Sequence, residues 1–197
     1  TLDSLEMTNA RNGDNGAGVR IREDLANVIS ATIQNCKITY CDMGMQGGSH
    51  GTTLIQNCEV AYNGTSLYNG YSHNFYMAGP GTIVVKGCYI HDSLYGQNFK
   101  SRAHYNELWY NWIADSNEGE VGPVDNATNT ATPNSNMLMA GNTIISKVGR
   151  TGNRMKYVNF GMDGGNPHNG TLYAYNNTMI AKTSSINFLW VTDNYGT

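Results

Sequence analysis

Short runs of alternating apolar and polar residues follow one another along the chain, and one phrase recurs among them. The phrase is an Asn or Cys, one variable residue and an apolar residue. Its first position is taken by Cys36, Cys58, Cys88, Asn111, Asn142 and Asn177, and its last by Ile38, Val60, Ile90, Ile113, Ile144 and Met179. Successive phrases are 22 to 35 residues apart. A unit this short cannot bury its own apolar face, so the pattern predicts repeats that stack on one another.

Three β-strands are predicted in each repeat. An alternating apolar run precedes each phrase, as at 28–33 and 82–85, and the phrase begins a second strand after a short bend. A third strand opens the next repeat. The predicted fold is therefore all-β, a parallel β-helix (solenoid) of about six to seven coils, with residues 1–197 as a single domain. The pattern leaves open whether the chain is a fragment of a longer solenoid.

Side-chain alternation divides the third strand of each repeat into an inward and an outward set. Apolar residues such as Phe75, Met77 and Phe99 share one parity and are expected inside. The opposite parity is expected to face solvent, and it comprises Arg20, Arg22, Gln46, Asn74, Tyr76, Asn98, Lys100, Arg102, Tyr157, Asn159 and Asn187. Repeats differ in length beside this strand, at 66–73 and 148–154, and loops that vary on one face often mark the binding side.

Composition and charge mainly exclude partners. The formal net charge is -3, so neither nucleic acid nor an anionic membrane surface is an expected partner. No run approaches the roughly 18 apolar residues of a membrane span, so membrane insertion is not expected. Three of the four cysteines occupy the recurring position, where buried thiols are favoured over a zinc site. The open ends of a solenoid expose strand edges, which makes end-to-end self-association a further expectation.

Lys100 and Arg102 are the sharpest candidates for catalysis. On an extended strand they lie about 6.8 Å apart on one face. Two cations this close repel each other, which raises the acidity of the lysine. Such a pair could remove a proton α to a carboxylate and offset the negative charge that results. The alternative is a solvated pair of surface cations.

Further polar residues are expected in line with this pair. Arg20 and Arg22 repeat its geometry on the first coil, about 19 Å away at the spacing of strands. The other members of the line are Asn74, Tyr76, Asn98, Tyr157 and Asn159. Cations, amides and aromatic rings in a row suit an acidic, uronate-containing polysaccharide, which offers carboxylates, hydroxyls and sugar rings. Ordinary surface polarity accounts equally well for any one of these residues alone.

Carboxylates cluster in the middle of the chain. The group consists of Asp92, Asp115, Glu118, Glu120, Asp125 and Asp163. Grouped carboxylates suit Ca²⁺, and paired ones suit glycoside hydrolysis. Three of these carboxylates lie in the polar stretch 117–135, and a stretch of this composition is equally typical of an exposed loop.

Five segments together resemble a group of bacterial right-handed parallel β-helix repeat proteins, related in fold to pectate lyases, alginate lyases and chondroitinase. They are NGYSHNFYM, HDSLYGQNFKSRA, YNWIADS, YVNFGMDGG and YAYNNTMIA. In such lyases a Lys or Arg removes a uronate proton while Ca²⁺ or Arg neutralises the carboxylate. The resemblance implies that Lys100 would be the base and Arg102 the neutralising or proton-donating group. The chain departs from the group at Gln97, where His is expected, and at 118–121, where an acidic strand is expected.

Three hypotheses follow for function. The first is a secreted or cell-surface protein that binds an acidic polysaccharide and cleaves it by β-elimination, with Lys100 and Arg102 central. The second is a non-catalytic surface, fibre or carbohydrate-binding module, which the two departures favour. The third is a hydrolase or epimerase on the same scaffold.

Overall fold

The computed structural model describes residues 1–13, 15–146, 156–161, 163–182 and 187–192. Within these residues the regular structure is nineteen β-strands and a single 3-10 turn, Ser66–Tyr68. All strand pairings are parallel. The predicted all-β class with parallel strands is confirmed. The described part of the chain holds no helix that is long and apolar enough to cross a membrane.

The strands fall into three sets, which we call ranks, and the members of a rank occupy equivalent positions in successive repeats. The first rank contains β3 (Ala17–Ile21), β6 (Met43–Gly47), β13 (Val121–Pro123), β16 (Lys156–Gly161) and β19 (Asn187–Thr192). The second contains β1 (Leu2–Asp3), β4 (Ser30–Gln34), β7 (Thr52–Gln56), β14 (Met137–Ala140) and β17 (Leu172–Tyr175). The third contains β2 (Glu6–Thr8), β5 (Lys37–Thr39), β8 (Glu59–Ala61), β10 (Tyr89–His91), β12 (Trp112–Ala114), β15 (Thr143–Ile145) and β18 (Thr178–Ile180).

Two long strands join the first rank to the second. β9 (Phe75–Lys86) and β11 (Phe99–Trp109) pair with first-rank strands through their early residues and with second-rank strands through their late residues. The first and second ranks therefore form one 12-stranded sheet, and the third rank forms a separate 7-stranded sheet.

The recurring Asn or Cys forms a hydrogen-bonded ladder at the start of the third rank. The backbone N–H of Asn111 donates to the side-chain oxygen of Asn142 at 2.9 Å, and the N–H of Asn142 donates to that of Asn177 at 3.0 Å. In the earlier repeats the thiol sulfurs of Cys58 and Cys88 accept the equivalent N–H bonds. The ladder satisfies backbone donors that the bend leaves without a strand partner.

Each ladder residue follows a bend with a left-handed backbone. The residue before it has φ between 53° and 67° in six successive repeats: Asn35, Asn57, Gly87, Tyr110, Gly141 and Asn176. Glycine and asparagine adopt this conformation at low cost, which explains their recurrence here. Tyr110 is the exception among them.

The apolar residues that close the recurring phrase stack in one buried column. Ile90, Ile113 and Ile144 are paired in register on consecutive strands and are completely buried. The core therefore continues from repeat to repeat, as expected for units that cannot fold alone.

Candidate functional site

Three candidate residues of the first rank, Arg20, Tyr76 and Lys100, lie in one column that points away from the apolar core. The strand register pairs Arg20 with Gln46, Gln46 with Tyr76, and Tyr76 with Lys100. Their neighbours Met45, Phe75 and Phe99 are completely buried, so the alternation that the sequence predicts holds here. Three strand spacings separate Arg20 from Lys100, or about 14 Å. The separation of about 19 Å expected from the sequence is therefore wrong by one repeat.

Lys100 is buried, contrary to the expectation that it faces solvent. Its Nζ lies 2.5 Å from Oδ2 of Asp163, and the two side chains are only 3% and 8% exposed. The Nζ atom also lies 5.9 Å from the centre of the Tyr76 ring. Lys100 thus points away from the apolar core but is covered by the chain that follows β16. A carboxylate in contact with an amine favours the charged ammonium form.

Arg102 shares the same carboxylate and is partly exposed. Its Nη2 lies 2.9 Å from Oδ2 of Asp163, and its side chain is 20% exposed. Its Nε donates to the Tyr76 hydroxyl at 3.2 Å, and its Nη1 donates to the backbone carbonyl of Asp125. A guanidinium carries five N–H groups, and these described contacts use three of them. We refer to Tyr76, Lys100, Arg102 and Asp163 as the cation cluster.

Asp125 positions the segment that carries Asp163. It is completely buried, and its carboxylate accepts hydrogen bonds from the backbone N–H groups of Asp163, Gly164 and Asn166. Burial alone would raise the pKa of Asp125, but these backbone donors outweigh that effect and lower the pKa below its usual value. The carboxylate therefore holds the covering segment against β11 in its ionised form.

Asn74 and Asn98 are buried inside the molecule, and their predicted outward placement is wrong. Asn74 donates to the side-chain oxygen of Asn98 at 2.7 Å, and Asn98 donates to Oε2 of Glu120 at 2.7 Å. Both asparagines directly precede the first residue of a strand, β9 or β11. At this corner the chain has not yet become extended, so strand alternation does not apply. The two amides form a second internal ladder rather than a ligand surface.

Tyr157 lies at the equivalent position two repeats after Asn98, as the second residue of β16, and its predicted outward placement is also wrong. It precedes Val158, which pairs with Val121, just as Asn98 precedes Phe99. The ring is fully buried in the core, and the hydroxyl donates to Oγ of Ser146 at 2.8 Å. Asn159 is only 3% exposed, so the predicted solvent-facing position is wrong for this residue as well.

Arg20 and Arg22 are exposed, as predicted. Arg22 makes an ion pair with Asp24 in which both side chains are more than half exposed, so this pair contributes little to stability. Tyr76 is half-buried. The structure therefore brings Tyr76, Lys100 and Arg102 together and leaves Arg20 and Arg22 at the far end of the same face.

The carboxylates that suggested Ca²⁺ already have protein partners. Asp125 accepts backbone N–H groups, Glu120 accepts from Asn98 and from the backbone of Ser116, and Asp115 makes an ion pair with Lys182. Among the described residues no group of three or more His, Cys, Asp or Glu side chains is arranged to hold a metal ion. The calcium expectation stays untested.

Asp163 is the member of the cation cluster that sequence reasoning did not connect with Lys100. The two residues are 63 positions apart, and the link between them depends on how the segment after β16 folds back over β11. The only signal in the sequence is the membership of Asp163 in the carboxylate group, which gives no indication of its partner.

No protein-family model, curated protein or solved structure matches this chain. The resemblance to β-helix lyases therefore stays a prediction based on the segments that carry it.

The lowered pKa of Asp125 predicts a pH-dependent contribution to stability. An aspartate whose pKa is lower in the folded state stabilises the fold above its unfolded pKa of about 3.9, and this contribution is lost as the pH falls through the folded value. We expect Asp125→Asn to lower the free energy of unfolding by about 1–3 kcal/mol at neutral pH. The deficit should shrink toward the most acidic pH at which both proteins remain folded, as measured by urea unfolding.

Asp24→Asn is the matched control, because Asp24 is exposed and paired only with Arg22. Its effect on the free energy of unfolding at neutral pH should be much smaller than that of Asp125→Asn, because a solvent-exposed ion pair contributes little. An Asp125→Asn deficit that is the same at every pH would contradict the assigned role of the ionised carboxylate.

Proposed function

We propose that the three ranks are the three faces of a right-handed parallel β-helix of about seven coils. The order of the strands supports this, because the chain visits the second, third and first ranks in turn and each strand pairs with its equivalent in the next repeat. Crossover connections between parallel strands are right-handed in nearly all proteins. End-to-end association of such a helix stays a prediction.

Binding of an acidic, uronate-containing polysaccharide is the function that the first rank supports best. The observation that carries this proposal is the column on consecutive strands that runs from Arg20 through Gln46 and Tyr76 to Lys100, with Arg102 two residues beyond Lys100 on β11. Sugar carboxylates can pair with guanidinium groups, and sugar rings can lie on a phenol ring. A ligand of this kind is extracellular, which accords with a secreted or cell-surface location.

Lys100 and Arg102 have different roles in the proposed binding. Lys100 is buried against Asp163 and fixes the covering segment. Arg102 is partly exposed and retains N–H groups beyond those that its described partners use. Arg102 is therefore the residue of the cluster that a ligand carboxylate reaches.

β-Elimination is a second candidate, because the cluster places a proton-transfer group, Lys100, beside a carboxylate-neutralising group, Arg102. The Tyr76 hydroxyl lies 3.2 Å from Nε of Arg102, and the Lys100 Nζ lies 5.9 Å from the Tyr76 ring. In this reaction a base takes the proton α to the carboxylate, a carbon–carbon double bond forms, the bond to the β oxygen breaks, and the departing oxygen takes up a proton to become a hydroxyl. For Lys100 to be that base, it must first separate from Asp163 and lose its proton.

Binding is tested by calorimetric titration with alginate, polygalacturonate and chondroitin sulfate. Arg20→Ala should weaken binding by about two- to fivefold, as expected for one exposed ionic contact, and Arg102→Ala should weaken it more. Lys37→Ala is the control, because Lys37 is a half-exposed cation on the third rank, outside the line. Failure of all three polymers to bind, or an equal loss in the control, would refute the proposal.

Elimination is tested by incubating each polymer with the protein and following the ultraviolet absorbance of the unsaturated product. If Lys100 is the base, Lys100→Ala should abolish the absorbance increase and Lys37→Ala should leave it unchanged. Activity that survives in Lys100→Ala would exclude Lys100 as the base. Binding without any absorbance increase would leave the protein as a non-catalytic binding module.

A further inference from the structure

A second concave surface lies on the outer side of the second rank, away from the cation cluster. Its volume is about 470 Å³, and its lining includes Gln56, Val84, Lys86, Glu107, Trp109 and Tyr110. We call it the Trp109 groove. The register sets Gln56, Lys86 and Trp109 side by side on β7, β9 and β11, so three consecutive repeats contribute to it.

The indole of Trp109 is held in place by its neighbours. Its Nε1 donates to Oε2 of Glu107 at 2.7 Å. The Tyr175 ring meets it edge-on, with ring centres 6.4 Å apart and planes at 78°. The register places Ala140 between these two aromatics, and this small residue leaves room for their contact. The groove therefore contains a fixed aromatic ring rather than a mobile one.

Tyr110 is fixed at the edge of the same groove in an unusual conformation. Its φ is 54°, at a position where the other repeats carry Asn or Gly, and 63% of its surface is exposed. A Cβ atom on Gly141 would lie 2.5 Å from the Tyr110 ring, so the glycine of the next repeat leaves space for the ring. Tyr40 and Tyr62 adopt the same backbone conformation at other bends of the chain. The contribution of Tyr110 to the groove is therefore its exposed ring, which lines the edge.

The charges of the groove balance each other. Lys86 and Glu107 contribute one positive and one negative charge, and Gln56 adds a neutral amide. The groove therefore offers hydrogen-bond donors and acceptors beside aromatic rings without a net charge. This combination favours a neutral, hydroxyl-rich ligand over an anionic one.

From these contacts we infer that the Trp109 groove binds neutral pyranose rings, as a carbohydrate site separate from the acidic-polysaccharide face. The C–H face of a pyranose carries partial positive charge and lies on the negative face of an aromatic ring. The hydroxyls at the rim of the sugar then reach Gln56, Lys86 and Glu107. The volume is within the range of small-ligand sites and accommodates a short stretch of a glycan.

The test uses tryptophan fluorescence, because the chain has three tryptophans and only Trp109 lines the groove. In the Trp112→Phe/Trp190→Phe protein, titration with cellohexaose or mannohexaose should change the emission of Trp109 in a saturable way. By calorimetry, Trp109→Ala should weaken the binding by about tenfold or more. Trp112→Ala is the matched control, because Trp112 is half-exposed on the third rank and should bind as the parent does.

Three outcomes would overturn the inference. They are no saturable change with either sugar, an equal loss of affinity in Trp112→Ala, and saturation by polygalacturonate but not by the neutral sugars. Arg102→Ala should retain cellohexaose binding, which separates this site from the acidic-polysaccharide face. The titration of Trp109 itself needs no substitution in the groove, so a folding defect in Trp109→Ala does not affect the result.

Discussion

The structure depends on one constraint, which is that each repeat must place its bends and inward side chains directly against the same positions of the next repeat. Strands of three to five residues are too short to be stable alone, so their backbone groups must bond to the neighbouring repeat. The Asn and Cys ladder meets this requirement at the bend, and the isoleucine column meets it in the core. Outward positions are free of this constraint and can carry binding residues.

The same constraint decides how much the sequence could predict. The recurring Asn or Cys position, the stacking of the repeats and the all-β class could be predicted, because each rests on a pattern that every repeat must show. Asn74 and Asn98 were misplaced, because alternation was extended to a corner that precedes the strand. Tyr157 is the second residue of β16, where every residue from 157 to 161 is buried, so burial does not alternate along this strand. The nearby glycines show that this corner is interior: a Cβ on Gly44 would lie 2.4 Å from the backbone oxygen of Asn74. The Lys100–Asp163 pair could not be predicted, because it joins residues 63 positions apart through an irregular segment.

Two outer surfaces of different chemistry result from one scaffold. On the first rank, a buried ion pair fixes the segment that covers β11, while Arg102 and Arg20 are among the cations open to a ligand. On the second rank, a fixed indole and a balanced pair of charges line a groove. Because both surfaces rest on the same rigid register, a ligand on one face need not disturb the other.

Distances between spin labels on the third rank test the stacking register most directly. The register places Glu6, Trp112 and Thr178 in one outward column, with four strand spacings from Glu6 to Trp112 and six from Glu6 to Thr178. Labels at engineered cysteines, with the four buried native thiols unlabelled, should show backbone separations near 19 Å and 29 Å, increasing by about 4.8 Å per repeat. Equal distances for the two pairs, or a shorter distance to Thr178, would contradict the stacked register.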